Sequence, residues 1–287
     1  MDPVNDLSLR ERIDEYYDTV PLHFAEAEVL GPFRLFRRKE AGAPYYGGPH
    51  HARPASAGRP RVPSVSDIEL VRARQRELGV PEAFEWLAEV TPSLRERIEA
   101  AGLPVAERPL MVIDADRRPS PQPVPDGVTV RAVDADDPSL PAVLALPGLA
   151  FADEGTAVGP AGPAELARAA ERLRADGAVA MTRPFLRTGS KALVAAFAPD
   201  GTPLAVGHHH PAAGTTEIGG IGALPAARRQ GLGAAVMAAL VAHARDHGVQ
   251  TVSLAYADEA VARIYARLGY RPAGTTLLIA NQAARGQ

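Results

Sequence analysis

The residues best suited to chemistry lie in one stretch, EIGGIGALPAARRQGLGAAV, at 217–236. A glycine-rich strand leads through Leu224 and Pro225 into Arg228-Arg229-Gln230-Gly231-Leu232-Gly233 and then a long helix. This order of elements makes an anion cradle, because the first amides of a helix lack partners within it and its dipole favours negative charge there. Gly231 and Gly233 let the backbone approach a bulky pyrophosphate closely. Arg228 and Arg229 add positive charge. A tight turn with packing glycines would give the same pattern. The lysine of a nucleoside triphosphate loop is missing, and R-x-x-G-x-G is not the G-x-G-x-x-G of a dinucleotide site.

About 25 residues further on comes Asp258-x-x-Val261-x-x-Ile264-Tyr265-x-x-x-Gly269-Tyr270. The two motifs together resemble the GNAT superfamily of acetyl-CoA-dependent N-acetyltransferases. Its patterns are Q/R-x-x-G-x-G/A for the pyrophosphate loop and N-x-x-A-x-x-L-Y-x-x-x-G-F for the last helix. The resemblance covers roughly 128–280. It implies an α/β (α+β) fold, with a mixed central sheet flanked by helices. It also implies acetyl-CoA as co-substrate, no metal, and a primary amine of a small molecule or protein as acceptor.

By position, Ile221, Gly222 and Ala223 fall on the family's splayed strand, whose backbone pairs with the pantetheine arm. Gly219, Gly220 and Gly222 suit the bulge in that strand. The amides of Arg229, Gln230, Gly231, Leu232, Gly233 and Ala234 would hold the pyrophosphate. Arg228 opens the motif, and Asp258 stands beside the cofactor where the family keeps asparagine. Tyr265 falls on the general acid that protonates the departing thiolate. An amide near Ala223 would polarise the thioester carbonyl. Val261 replaces the family's alanine, and Ser253 stands where some members carry a glutamate base. Only about one part in 10³ of an alkylamine is neutral at pH 7, so a base or water relay is needed. Glu217, of the same facing parity as Gly219 and Ile221, is the first candidate. His208 or His210 is the second. A transferase for a larger acyl group is one alternative. A non-catalytic acyl-CoA-binding sensor or interaction module, which Ser253 favours, is another.

These residues need a frame. The chain has 287 residues, 46% hydrophobic and 23% charged, which suits two domains with real cores. A net charge of −3 gives no case for nucleic acid or an anionic membrane, and the absence of cysteine removes disulfides and thiolate chemistry. The longest apolar run, 234–242, is too short to span a bilayer. The N-terminal stretch lacks the apolar core of a secretory signal, so a cytoplasmic protein is expected. Two segments read as linker or loop: 41–63, which contains Tyr45 and Tyr46, and 114–127, where proline alternates at 119, 121, 123 and 125. The expected domains are 1–113, a linker at 114–126, and 127–287.

In the second domain the patterns give strands at 128–133, 191–198, 203–210, 215–224, 251–256 and 276–280. Helices are expected at 139–151, 163–176, 231–247 and 258–268. The first domain repeats the end of this series. A shift of 167 residues aligns 84–113 with 251–280 without a gap, placing Gly102 on Gly269 and Leu94 on Val261. A capping box at Ser66-Asp67-Ile68-Glu69 would open a helix at 67–78. Thr91 and Pro92 would open another, stopped by Gly102. At the shifted loop positions 61–66 there is no glycine, and Ile98 falls on Tyr265. The first half is therefore read as a degenerate GNAT-like copy that shapes the substrate cleft, and the chain as a monomer or homodimer. His208-His209-His210 is not read as a metal site, since consecutive strand residues alternate faces. His243 and His247 read as a solvated helix end, and Arg34, Arg37, Arg38 and Lys39 as a solvated strand face.

Overall fold

A computed structural model describes residues 3–39, 52–55, 62–153, 155–256 and 259–279. Asp258, Tyr45 and Tyr46 lie outside the described residues. The first half contains α1 (Pro3–Thr19), β1 (Ala25–Leu30), β2 (Phe33–Arg38), β3 (Ala52–Pro54), α2 (Val65–Glu77), β4 (Glu85–Leu87), α3 (Leu94–Ala100) and β5 (Val105–Ile113). The second contains β6 (Thr129–Ala132), α4 (Leu140–Ala152), α5 (Pro163–Ala175), α6 (Ala178–Arg187), β7 (Ala192–Phe197), β8 (Pro203–His209) and β9 (Thr215–Ala223). It continues through α7 (Leu232–Asp246), β10 (Thr251–Ala255), α8 (Glu259–Arg267) and β11 (Arg271–Ile279).

The duplication reaches further back than the sequence alignment. β1 and β7 start and end 167 positions apart, α2 and α7 start 167 apart, and α3 matches the part of α8 that begins at Val261. Ile98, on the position of Tyr265, is fully buried in the first unit's core, and Gly102 and Gly269 both end their helices at positive φ, +80° and +96°.

Contacts divide the chain into two compact units. The first is Met1–Val112 with Ala255–Glu259 and Arg271–Gln287, and the second is Ile113–Leu254 with Ala260–Tyr270. The 114–126 segment thus belongs with the second unit, and the expected 127–287 domain gives up its last strand to the first.

In the first unit β1, β2 and β3 form an antiparallel meander. β11 pairs antiparallel with both β4 (Thr276↔Leu87) and β5 (Thr276↔Arg108), so it lies between them. Leu277 and Ile279 of β11 join a core with Phe33, Leu35, Phe84, Trp86, Leu94 and Ile98, each worth about 1.5–3 kcal/mol of burial. Two expected caps are corrected. Ser64, not Ser66, opens α2: its Oγ accepts from the Asp67 amide at 3.3 Å, and the Asp67 carboxylate accepts from the Ser64 amide at 2.8 Å. Aspartate closes the box one turn in, where a glutamate was expected two residues later. α3 begins after Ser93, with Thr91 and Pro92 in the preceding turn and the Leu94 amide on the Thr91 carbonyl at 3.1 Å. The basic run of β2 is held in ion pairs rather than solvated: Arg34 with Asp18, and Arg37 with Glu26 and Glu28.

Arg53, 1% exposed, pairs with Asp14 and lies near Asp18. Removing one partner of a buried pair strands the other charge. Asp14→Ala should therefore destabilise the protein by about 3 kcal/mol in urea unfolding. A change below about 0.5 kcal/mol would contradict a structural role for this pair.

In the second unit the strand order is β10-β9-β8-β7-β6. β9 and β10 are parallel and the remaining neighbours antiparallel. α7 buries Val236, Met237, Leu240, Val241 and Ala244, as its apolar periodicity predicts. It covers one face of the sheet, above Gly207, where an added Cβ would meet Val236 and Leu240. α4 covers the other face, where a Cβ at Gly222 would meet Ala150. α6 has no counterpart in the sequence expectation. It begins after Gly177, which offers no capping side chain, and carries Pro184 inside. No helix among the described residues is long and apolar enough to cross a membrane.

Candidate functional site

The loop from β9 to α7 passes through a short 3-10 turn, Pro225–Ala227, and then twice enters the left-handed region, at Arg229 (φ +68°) and Gly231 (φ +78°). A non-glycine residue there costs on the order of 1 kcal/mol or more, and such strain concentrates at functional positions. The conformation turns successive amides the same way. The backbone amides from Arg229 to Ala234 donate to no acceptor among the described residues, and the first that does is Ala235, to the Gly231 carbonyl at 3.1 Å. Six unspent N–H groups at the start of a fifteen-residue helix form a concave nest for an anion. Arg229, Gln230 and Gly231 are exposed, Gly233 and Ala234 half-buried, and Leu232 anchors the loop in the core.

Arg228 does not face this nest, contrary to its expected part in binding. Its guanidinium is buried and donates to the carbonyls of Ala150 (2.7 Å), Asp153 (2.8 Å) and Ala157 (3.0 Å), with the Asp153 carboxylate at 3.4 Å. The last carbonyls of α4 have no partners within the helix, and a rigid five-donor fork satisfies several at once. Arg228 therefore ties the loop to α4, which leaves Arg229 as the exposed arginine of the loop.

β9 supplies the second part of the site. Its pairing with β10 runs from Thr215↔Thr251 to Glu217↔Ser253 and stops, so Ile218–Ala223 is paired on the β8 side only. The two parallel strands splay apart toward the nest. Gly220 (φ +62°) sits in a bulge opposite Gly207, where the register shifts between Val206↔Gly222 and His208↔Gly219. The extra residue resets the alternation of faces. Ile221 points to α7, its Cδ1 beside Gly207, whereas a Cβ at Gly219 or Gly220 would meet the His208 ring. Glu217, two residues before Gly219, shares the face of His208 but not that of Ile221, which corrects the expected parity. The space beside Gly222 is closed by Ala150 and Phe151, and Ala223 ends the strand half-buried.

Tyr265 lies half-buried on α8, its ring 6.2 Å from that of Tyr270, whose hydroxyl donates to Met237 Sδ of α7 at 3.5 Å. Burial pushes the Tyr265 hydroxyl up from its ordinary value, so it stays protonated at neutral pH. Ser253 is fully buried and its Oγ donates to the Thr216 carbonyl at 3.3 Å. It offers no base.

Around the β9 bulge stands a cluster that the sequence reading caught only in part. His210 lies in register with Glu217, between the pairs His209↔Ile218 and Ala212↔Thr215. Its Nδ1 donates to the Ser190 carbonyl at 3.0 Å, which leaves Nε2 to accept from Lys191 Nζ at 3.3 Å. The His208 and His210 rings are 5.1 Å apart. Burial brings Lys191 down to about 8 and holds His208 and His210 well below the ordinary imidazole range. The two imidazoles are therefore uncharged, while Lys191 remains mostly a cation at neutral pH and donates to His210. On the opposite face His209 bonds Thr216 Oγ1 and His243 Nδ1, each at 3.1 Å. His243 is therefore half-buried and drawn below its usual value by that burial, not a solvated cation at a helix end. No group of three or more His, Asp or Glu among the described residues is arranged to hold a metal ion.

Comparison with solved structures defines the fold. A GCN5-related N-acetyltransferase from Kribbella flavida superposes with a TM-score of 0.68 at 22% identity, over 96% of each chain. A conserved protein of unknown function from Staphylococcus epidermidis gives 0.55 at 17%, over 90% of this chain and 94% of the other. A tandem GNAT protein from the clavulanic acid biosynthesis pathway gives 0.56 at 16%, over 90% and 85%. At these identities the likeness is one of fold, a mixed α/β GNAT architecture with a second GNAT-like unit. No curated protein matches the sequence. Residues 165–270 match the acetyltransferase (GNAT) family model. The match stops at Tyr270, where the second unit also ends.

Proposed function

We propose that the second unit is an N-acetyltransferase that moves an acetyl group from acetyl-CoA to a primary amine. The observation that carries this reading is the row of six unspent amides from Arg229 to Ala234, beside the splay of β9 from β10. The pyrophosphate sits in the nest, with Arg229 adding charge, and Gly231 and Gly233 allow its close approach. The pantetheine arm pairs with the backbone of Ile221, Gly222 and Ala223, whose β10 side is open. The acceptor amine attacks the thioester carbonyl. Glu217, or His208 on the same face, takes its proton, and Tyr265 protonates the departing thiolate. Arg228 positions the loop without touching the cofactor. Asp258 is assigned to the cofactor by its place in the motif alone.

Calorimetric titration with acetyl-CoA tests this reading. The wild type should bind at micromolar Kd, about 8 kcal/mol. The Gly231→Asp/Gly233→Asp variant puts two carboxylates into the nest and should show no binding at about 1 mM. No binding to the wild type at millimolar cofactor would overturn the assignment. A non-catalytic acyl-CoA sensor, which the sealed Ser253 favours, would bind acetyl-CoA yet release no thiol with any amine.

A further inference from the structure

Far from the nest, the second unit carries an open cavity of about 290 Å³ at its surface, among Arg117, Arg118, Ser120, Gln122, Arg267 and Gly269. It lies at the C-terminal end of α8, and Arg118 bonds Asp246, the last residue of α7, at 2.6 Å. The nest is at the other end of α7, about 22 Å away for fifteen residues. Arg118 is thus held in place by a carboxylate. The guanidiniums of Arg117 and Arg267 form no hydrogen bond or ion pair among the described residues, although the Arg117 amide donates to the Asp114 carbonyl at 3.0 Å. Each guanidinium has five N–H donors in a planar fork, so ten donors around one small cavity are unspent.

The backbone makes room for this grouping. Gly269 takes φ +96°, and a Cβ there would lie 2.8 Å from Arg117 Nη1, so the guanidinium rests directly on the helix end. The dipole of α8 favours cations at that end, but no carbonyl there takes a bond from Arg117 or Arg267. The nearby acids are otherwise engaged: Asp246 with Arg118, and Asp114 and Asp116 facing Arg245.

We propose that this cavity is a second anion site of the molecule, which takes a small phosphate monoester. Three guanidiniums match a dianion better than a single carboxylate, and forked donors suit phosphate oxygens. The volume exceeds that of a bare phosphate and admits a short polar organic group. The Ser120 hydroxyl and the Gln122 carboxamide oxygen are placed to bond that group, since Gln122 Nε2 already donates to the Ser120 carbonyl at 2.8 Å.

Calorimetric titration of the full chain with glycerol 3-phosphate, beside inorganic phosphate, tests the site. The wild type and the Gly231→Asp/Gly233→Asp variant should both bind glycerol 3-phosphate with a sub-millimolar Kd. Arg117→Ala/Arg267→Ala should bind at least about tenfold more weakly with an unchanged melting temperature, because both side chains are exposed. Arg117→Lys/Arg267→Lys should recover only part of the affinity, because it keeps the charge and loses the fork. Inorganic phosphate binding as tightly as the ester would leave a phosphate site without the organic subsite and overturn the monoester assignment. No saturation of the wild type at about 10 mM, or binding lost in the glycine variant and kept in the arginine variant, would overturn the site itself.

Discussion

Tyr265→Phe should lower turnover by about 10²-fold or more while leaving acetyl-CoA affinity within about threefold. The substitution removes one oxygen from a half-buried side chain on α8 and keeps the ring contact with Tyr270. The contact of Tyr270 with Met237 of α7 should therefore survive. What is lost is a proton held on the hydroxyl at neutral pH by burial. A hundredfold loss is about 2.7 kcal/mol of transition-state stabilisation, the usual range for a positioned acid. The measurement is thiol release from acetyl-CoA with a panel of primary amines, paired with calorimetric affinity for the cofactor. A purely structural tyrosine would change both or neither. Turnover within about threefold of the wild type would remove Tyr265 from the mechanism.

The second large effect is acid lability of the second unit. His209 and His210 are buried, His208 is half-buried, and all three are held uncharged, His209 as low as about 3. A group whose folded pKa lies below its unfolded value near 6.5 binds more protons when unfolded. Its stabilising contribution is complete above about 6.5 and is lost as the pH falls toward the folded value. Each such histidine removes up to about 1.4 kcal/mol per pH unit, so His209 alone accounts for about 2 kcal/mol between pH 6.5 and 5. The three together, with the half-buried His243, should lower the urea midpoint steeply in a window above that in which carboxylates titrate. His209→Gln should flatten the slope. Equal midpoints at pH 7.5 and 5 would refute the neutral histidine triad.

Much of the second unit was legible because its elements follow local rules. The apolar stripe of α7, the glycines at 248 and 269, and the alternating strands each announce themselves within a dozen residues. The nest was legible for the same reason, since Gly231 and the helix behind it are contiguous. What escaped depends on distant partners or on a shift of one residue. Nothing near Arg228 shows that the carbonyls it satisfies come from Ala150 and Asp153, more than 70 positions earlier. The bulge at Gly220 reverses which residues share a face with Glu217, and alternation read along the sequence cannot register an inserted residue. Lys191 reads as a strand-edge lysine until His210 Nε2 is found beside it. α6 lacks the caps that would reveal it, and Pro184 reads as a breaker.

The placement of β11 bears on how the chain is made. The first unit's β4 and β5 flank a strand that is synthesised only after the whole of Ile113–Leu254 and α8 has been made. Until then both strands present unpaired edges, and the core around Trp86 lacks Leu277 and Ile279. Vectorial folding, in which the N-terminal unit closes first, is therefore denied to this protein. The second unit is free to form while the first waits, and the closing contacts are of very high sequence separation and correspondingly slow. Nascent chains stalled before Arg271 would carry a sticky, half-built sheet, a natural substrate for chaperones that cover exposed strand edges.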